Sequence, residues 1–172
     1  MISDFIFAII YKQVFLHGKG IIAMADGLNV IIVDDNKEVC EVVFDIIKRF
    51  YTWGEVIAFT DVEEAIVYCK SQKSSVAIFI VDVFLNNSTG FIFLDSISER
   101  YPMAYEDAIM MSGNASDDVV NMCVAANITY LLEKPVKAYA LQLAVRAIVN
   151  KYINFAKRLL EDPDLAGDIY NF

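Results

Sequence analysis

The chain has 172 residues, enough for one domain with a full core and some appendages. Its formal net charge is −9 and its pI is near 4.5, which excludes a cationic nucleic-acid-binding module, since phosphate neutralisation needs clustered Lys and Arg. Hydrophobic residues make up 57% and the mean hydropathy is +0.46, a richness that calls for a sheet buried on both faces, an adhesive interface, or both.

The N-terminal stretch "FIFAIIY" (5–11) is apolar but short. Lys12, Gln13, His17 and Lys19 break the apolar run beyond it, so no span of about 20 apolar residues exists and no membrane role is expected. "AMA" (23–25) resembles a secretory cleavage site, but Asp4 and the lack of a leading positive charge are wrong for a signal peptide. Residues 1–27 are read as an N-terminal extension with helical character, with Met24 as an alternative start. His17, the single histidine, is assigned to a surface loop.

From Leu28 onward two kinds of segment alternate. "NVIIV" (29–33) is a β-branched strand, and 36–51 places Val39, Val43, Ile46, Ile47 and Phe50 on one helix face. "EVIAF" (55–59) comes after Gly54 as a strand. Residues 61–72 open with Asp61 and Glu64 in a capping-box pattern. "VAIFIVD" (76–82), the most apolar strand, is expected at the centre of the sheet. A helix over 90–100 stops before Pro102, a strand fills 108–112, a helix 116–127, a fifth strand 129–134, and a long last helix begins after Pro135. Five apolar strands alternating with five helices predict an α/β fold, a doubly wound five-stranded parallel sheet.

In such folds ligands bind outside the carboxyl ends of the strands. Those ends carry Asp34 and Asp35, Asp82, Ser112 and Lys134. Two adjacent aspartates at the end of a buried strand repel each other, and a bound cation offsets that; hard oxygen donors suit Mg2+. Asp82 could then act as a nucleophile toward phosphorus, with Lys134 and the Ser112 hydroxyl neutralising and holding the transferred oxygens. Each residue alone also has a plain structural reading: Asp34 or Asp35 as a helix cap, Ser112 with Gly113 and Asn114 as a turn. The three cysteines, Cys40, Cys69 and Cys123, lie far apart without a C-x-x-C and read as buried reduced thiols, hence a cytoplasmic location.

"IIVDDN", "FIVDVFLNNSTGF", "IMMSGNAS" and "YLLEKPV" resemble, in order, the four signature regions of the receiver domain of two-component response regulators, the family of the chemotaxis regulator. Thirty positions separate Asp82 from Ser112 and 22 separate Ser112 from Lys134, spacings typical of that family. The resemblance spans 28–150 and implies a flavodoxin-like receiver fold. It implies that Asp82 is the phosphoacceptor, loaded by a histidine kinase or phosphotransfer protein. Asp35, Asp82 and the Phe84 backbone carbonyl would bind Mg2+ directly, and Asp34 through a water. Ser112 would bond the phosphoryl group, Lys134 would pair with it, and the Lys134–Pro135 peptide bond would be cis. The output would be a switched surface for a downstream target protein, with no catalysis beyond the domain's own phosphorylation and dephosphorylation. Alternative readings are a dehalogenase-type aspartate phosphatase and a non-catalytic dimer scaffold.

Two departures stand out. Where many receivers have Tyr or Phe three residues before the lysine, this chain has Leu131, with Tyr130 one earlier and on the opposite side of the strand. Phe84 and Asn114 occupy positions that tune phosphoryl hydrolysis, and the bulky Phe84 is expected to exclude water and slow decay. Finally, Leu141, Val145, Ile148, Tyr152, Phe155 and Leu159 form a heptad seam on the last helix. It suits a homodimer, or partner docking, or cover by the apolar N-terminal segment. Residues 151–172 are read as a helical extension ending in an acidic tail.

Overall fold

The computed structural model describes residues 28–161; the extension over 1–27, His17, Met24 and the acidic tail after 161 lie outside the described residues. Five strands, β1 (Asn29–Val33), β2 (Val56–Phe59), β3 (Ala77–Asp82), β6 (Ala108–Ser112) and β7 (Tyr130–Glu133), form one sheet in the order β2-β1-β3-β6-β7, and every neighbouring pair is parallel. Helices α1 (Lys37–Lys48), α2 (Val62–Ser71), α3 (Gly90–Ile97), α4 (Asp117–Ala125) and α5 (Ala138–Glu161) alternate with them along the chain. This is the doubly wound sheet expected from the alternation, and β3, fully buried along its length, is its central strand. One element was not anticipated: a small antiparallel hairpin, β4 (Phe84–Leu85) with β5 (Ser88–Thr89), between β3 and α3. Its turn places Asn87 at φ 59°, the left-handed region that Asn tolerates well.

Successive β residues point to opposite faces, so burying both faces takes helices on both. Ile31, Val33, Phe79, Val81 and Met110 form one core with Ala65 and Cys69 of α2, Phe93, Leu94 and Ile97 of α3, and Val119 and Cys123 of α4. Leu131 packs against this same cluster, as its place in the alternation requires. The intervening residues Val30, Ile32, Ile78, Ile80, Ile109 and Met111, on the other face, are buried as well. Phe79 anchors the first core: its ring meets Phe93 at 6.1 Å and Tyr101 edge-on at 5.2 Å. The Tyr101 hydroxyl donates to the Cys69 carbonyl, so the ring stack is pinned at its polar end.

The helix starts are fixed locally. Asp61 caps α2 by accepting from the Glu64 N–H, as the sequence pattern indicates. The cap of α1 is Asn36, not Asp34 or Asp35: its side chain accepts from Glu38 and Val39, which leaves both aspartates to other work. All three cysteines are buried and free, and burial pushes the Cys40 thiol up to about 11 and the Cys69 thiol to about 12.

By its internal contacts the chain divides into a unit spanning 27–146 and a second comprising 1–26 with 147–172. Of the second, the described part is the latter half of α5. Along α5 the seam residues Leu141, Val145, Ile148 and Tyr152 are buried and Phe155 is half-buried.

Replacing Phe79 by Ala removes the stack's shared partner and leaves a cavity that the rigid sheet cannot close. The expected loss is about 3–5 kcal/mol, read as a lower urea midpoint with unchanged slope.

Candidate functional site

Parallel strands deliver their last residues to one edge, and here three strands of the sheet each lead into a charged side chain. β1 runs into Asp34 and Asp35, and β3 ends at Asp82; Lys134 comes directly after β7. The carboxylate oxygens of Asp34, Asp35 and Asp82 lie within 4.8 Å of one another. Asp34 is wholly buried, Asp82 nearly so, and Asp35 half-buried.

The Lys134 ammonium bridges the two most buried carboxylates. Its Nζ stands 2.6 Å from Asp34 Oδ2 and 2.8 Å from Asp82 Oδ2. Burial disfavours the lysine's charge, but the hydrogen bonds and fields of Asp34 and Asp82 outweigh it and hold its pKa above the ordinary 10.5. Asp82 shows the opposite balance. Burial pushes its carboxyl above the ordinary 3.8, Asp34 pushes the same way, and Lys134 only partly compensates. The cluster therefore carries more negative charge than one ammonium neutralises.

Backbone contacts set the remaining oxygens. Asp34 Oδ1 accepts from the Asn36 N–H at 2.9 Å, and Asp35 Oδ2 accepts from the Asn86 N–H at 3.1 Å, which ties the hairpin turn to the end of β1. The Phe84 N–H reaches Asp82 Oδ1 at 3.4 Å. Among the described residues, Asp34 Oδ2 has no hydrogen-bond partner beyond its ion pair. A buried oxygen whose one cationic neighbour is an ammonium shared with Asp82, beside the further carboxylate of Asp35, fits a hard divalent metal such as Mg2+ directly or through water.

Ser112 is buried at the end of β6, and its carbonyl accepts from the Lys134 N–H at 2.7 Å. Its hydroxyl, however, is engaged within the β6–α4 loop: it donates to the Asn114 carbonyl at 2.7 Å and accepts from the Asn114 N–H at 3.2 Å. The turn reading of Ser112 and the site reading thus coexist in one residue. Phe84 opens the hairpin two residues after Asp82, and it is 56% exposed. Lys134–Pro135 is cis.

Gly90, at the start of α3, belongs to the site although it carries no chemistry. A Cβ there would stand 2.4 Å from the Asp82 carbonyl oxygen and 2.8 Å from both Met110 Cε and Val81 Cγ1. Only glycine lets the helix start close against the strand that presents Asp82.

A family model of the response regulator receiver domain matches residues 30–146. Among solved structures, the chemotaxis protein CheY4 of Vibrio cholerae is 21% identical with a TM-score of 0.61, covering 71% of this chain and 98% of its own. A response regulator receiver domain protein of Clostridium thermocellum is 20% identical with a TM-score of 0.63, covering 77% and 98%. A CheY-like receiver domain protein of Methanospirillum hungatei is 18% identical, also at 0.63, covering 75% and 98%. No curated protein gives a significant match.

Because the folded protein holds the Asp82 proton more tightly than an unfolded chain would, stability falls as pH rises upward from about 3.8 through the raised Asp82 value. In metal-free buffer Asp82→Asn is expected to raise the urea midpoint at pH 7. The advantage should shrink as pH is lowered into the acid range, and an equal advantage at both ends would be incompatible with a strained carboxylate.

Proposed function

Since the chain belongs to the response regulator receiver domain family, we propose that it is a phosphorylation switch in which Asp82 accepts a phosphoryl group from the phosphohistidine of a histidine kinase or phosphotransfer protein. The observation that carries this reading is the Lys134 ammonium held between Asp34 and Asp82 at the carboxyl edge of the sheet.

The step is a displacement at phosphorus. An Asp82 carboxylate oxygen forms the new O–P bond, the donor's P–N bond breaks, and its electron pair returns to the imidazole, which takes a proton from solvent. Asp35 and Asp82, with the Phe84 carbonyl, would hold Mg2+, and Asp34 would reach it through water. When bound, the ion supplies the positive charge that the carboxylates and the phosphoryl oxygens require. Lys134 already points at Asp82 Oδ2 and would pair with a phosphoryl oxygen as charge gathers there. Ser112 would exchange its bond to the Asn114 carbonyl for one to the phosphoryl group, so modification at Asp82 would be felt in the β6–α4 loop. The output is a changed protein-binding surface, and the partners are the phosphodonor and a downstream target protein. Within residues 28–150, read as the receiver, no catalysis beyond this self-modification is assigned. No described helix is long and apolar enough to cross a membrane. The seam residues Leu141, Val145, Ile148 and Tyr152 are buried, which speaks against a homodimer through that part of α5.

Incubation with acetyl phosphate and Mg2+ and then intact mass is the test. The expected result is a gain of one phosphoryl group that EDTA prevents and Asp82→Asn abolishes. Repeated phosphate release would indicate a phosphatase, and an unchanged mass would indicate a scaffold. Phe84, two residues past the acceptor, is read as slowing hydrolysis of the acyl phosphate; Phe84→Ala is expected to shorten the life of the phosphorylated form severalfold, measured by the decay of that mass.

A further inference from the structure

An apolar groove opens beside the hairpin, lined by none of the carboxylates but beginning only one residue along the chain from Asp82. Val83, Phe84, Thr89, Phe91, Met122 and Ala125 line a space of about 410 Å3, with Ala126 at its end. That volume is more than one aliphatic side chain needs and suits two anchors presented one helical turn apart. The small Ala125 and Ala126 let a backbone come close, while Phe84 at 56% exposure and Met122 at 41% supply large apolar surface that water now covers.

The exposed charges one helical turn from the groove's lining residues are acidic. Asp95 lies four residues after Phe91, on the same face of α3, and Asp118 lies four before Met122, on the same face of α4; both are exposed. Glu106 accepts from the Asn127 side chain just beyond Ala126. From Val83 to Glu133 the chain has seven carboxylates, Asp107 among them buried, and a single basic side chain, Arg100; Lys134, next in the chain, is paired with Asp34 and Asp82. Arg100 is turned away, donating to the Gln72 carbonyl at the end of α2. A second copy of this chain is a poor occupant, because its net charge of −9 would set like charges against each other.

We propose that this groove docks a lysine- or arginine-rich amphipathic helix of a target protein, its apolar stripe in the groove and its cations over Asp95, Glu106 and Asp118. Only the identification of the helix's owner as the target of the switch rests on the function proposed above; the docking itself does not. Phe84 joins the two sites, since its N–H faces Asp82 while its side chain walls the groove.

The test uses the full chain and a fluorescein-labelled, lysine-rich helical peptide with leucines at i, i+3, i+4 and i+7, with fluorescence anisotropy as the readout. A matched peptide with glutamate in place of lysine is the control. The lysine peptide is expected to bind, more weakly as salt rises, and the glutamate peptide not to bind. Ala125→Arg, on an exposed position, should weaken binding at least about tenfold while the variant still takes up a phosphoryl group from acetyl phosphate. Val67→Arg, an exposed apolar position on α2, should change nothing. Equal binding of both peptides, or binding untouched by Ala125→Arg, overturns the proposal. So does loss of binding on Ala125→Arg in a chain that sizing shows to be a dimer dissociated by the same change. A chain that binds the peptide but never gains a phosphoryl group supports the groove and defeats the switch reading alone; the reverse defeats the groove alone.

Discussion

One ammonium shared between two buried carboxylates governs the rest of this structure. Lys134 Nζ lies within 2.8 Å of both Asp34 and Asp82, on an edge where the protein also places Asp35. Three carboxylates face one lysine in a poorly solvated place, and burial, with a smaller push from Asp34, raises the Asp82 carboxyl. A protein optimised only for stability would replace one of these groups by an apolar or neutral side chain. Charged groups kept against that cost mark a candidate functional site.

The sheet exists to hold that imbalance steady. β1 and β3 are neighbours, with Val33 paired to Val81, so Asp34 and Asp82 leave adjacent strands one residue past the last paired positions. β6 pairs with β7 so that Ser112 faces Glu133, and the Lys134 N–H closes on the Ser112 carbonyl. These are backbone constraints, independent of the charges, and they fix Lys134 opposite the acids. The close start of α3 at Gly90 buttresses the same strand end from the other side, with no room for a Cβ.

Much of this was legible in the sequence because its signals were long or jointly placed. Runs such as Ala77–Asp82 read as interior strand, and of Tyr130 and Leu131, which alternation sets on opposite sides of their strand, it is Leu131 that packs on the core. Lys134 was conspicuous as a cation closing an apolar run opposite acids. What escaped was short or depended on loop geometry. The hairpin has two-residue strands, below any period, and only the Asn86–Asn87 pair hinted at a turn. Asn36 took the cap of α1 ahead of two aspartates equally able to cap by composition, because β1 carries them one and two residues too early and into the site. The direction of the Ser112 hydroxyl is set by the Asn114 backbone and could not be inferred from residue type. A heptad pattern on α5 reports an apolar stripe but not what covers it, and through Tyr152 that stripe is buried.

The helix starts show where a disturbance at Ser112 would travel. α1, α2 and α3 are each capped by a side chain, from Asn36, Asp61 and Thr89. α4 begins at Ser116 with no side-chain cap bond, just beyond the loop that Ser112 and Asn114 organise. A missing cap is worth about 0.5–2 kcal/mol, comparable to the hydrogen bonds of that loop, so an exchange of the Ser112 bond would act next to a helix start with little reserve. α4 also carries Met122 and Ala125, which with Ala126 at its C-cap make one wall of the acidic-rimmed groove, while the opposite wall begins at Phe84, whose N–H faces Asp82. Both walls thus connect to the carboxylate cluster through short covalent and hydrogen-bonded routes, and neither route passes through the rigid core around Phe79.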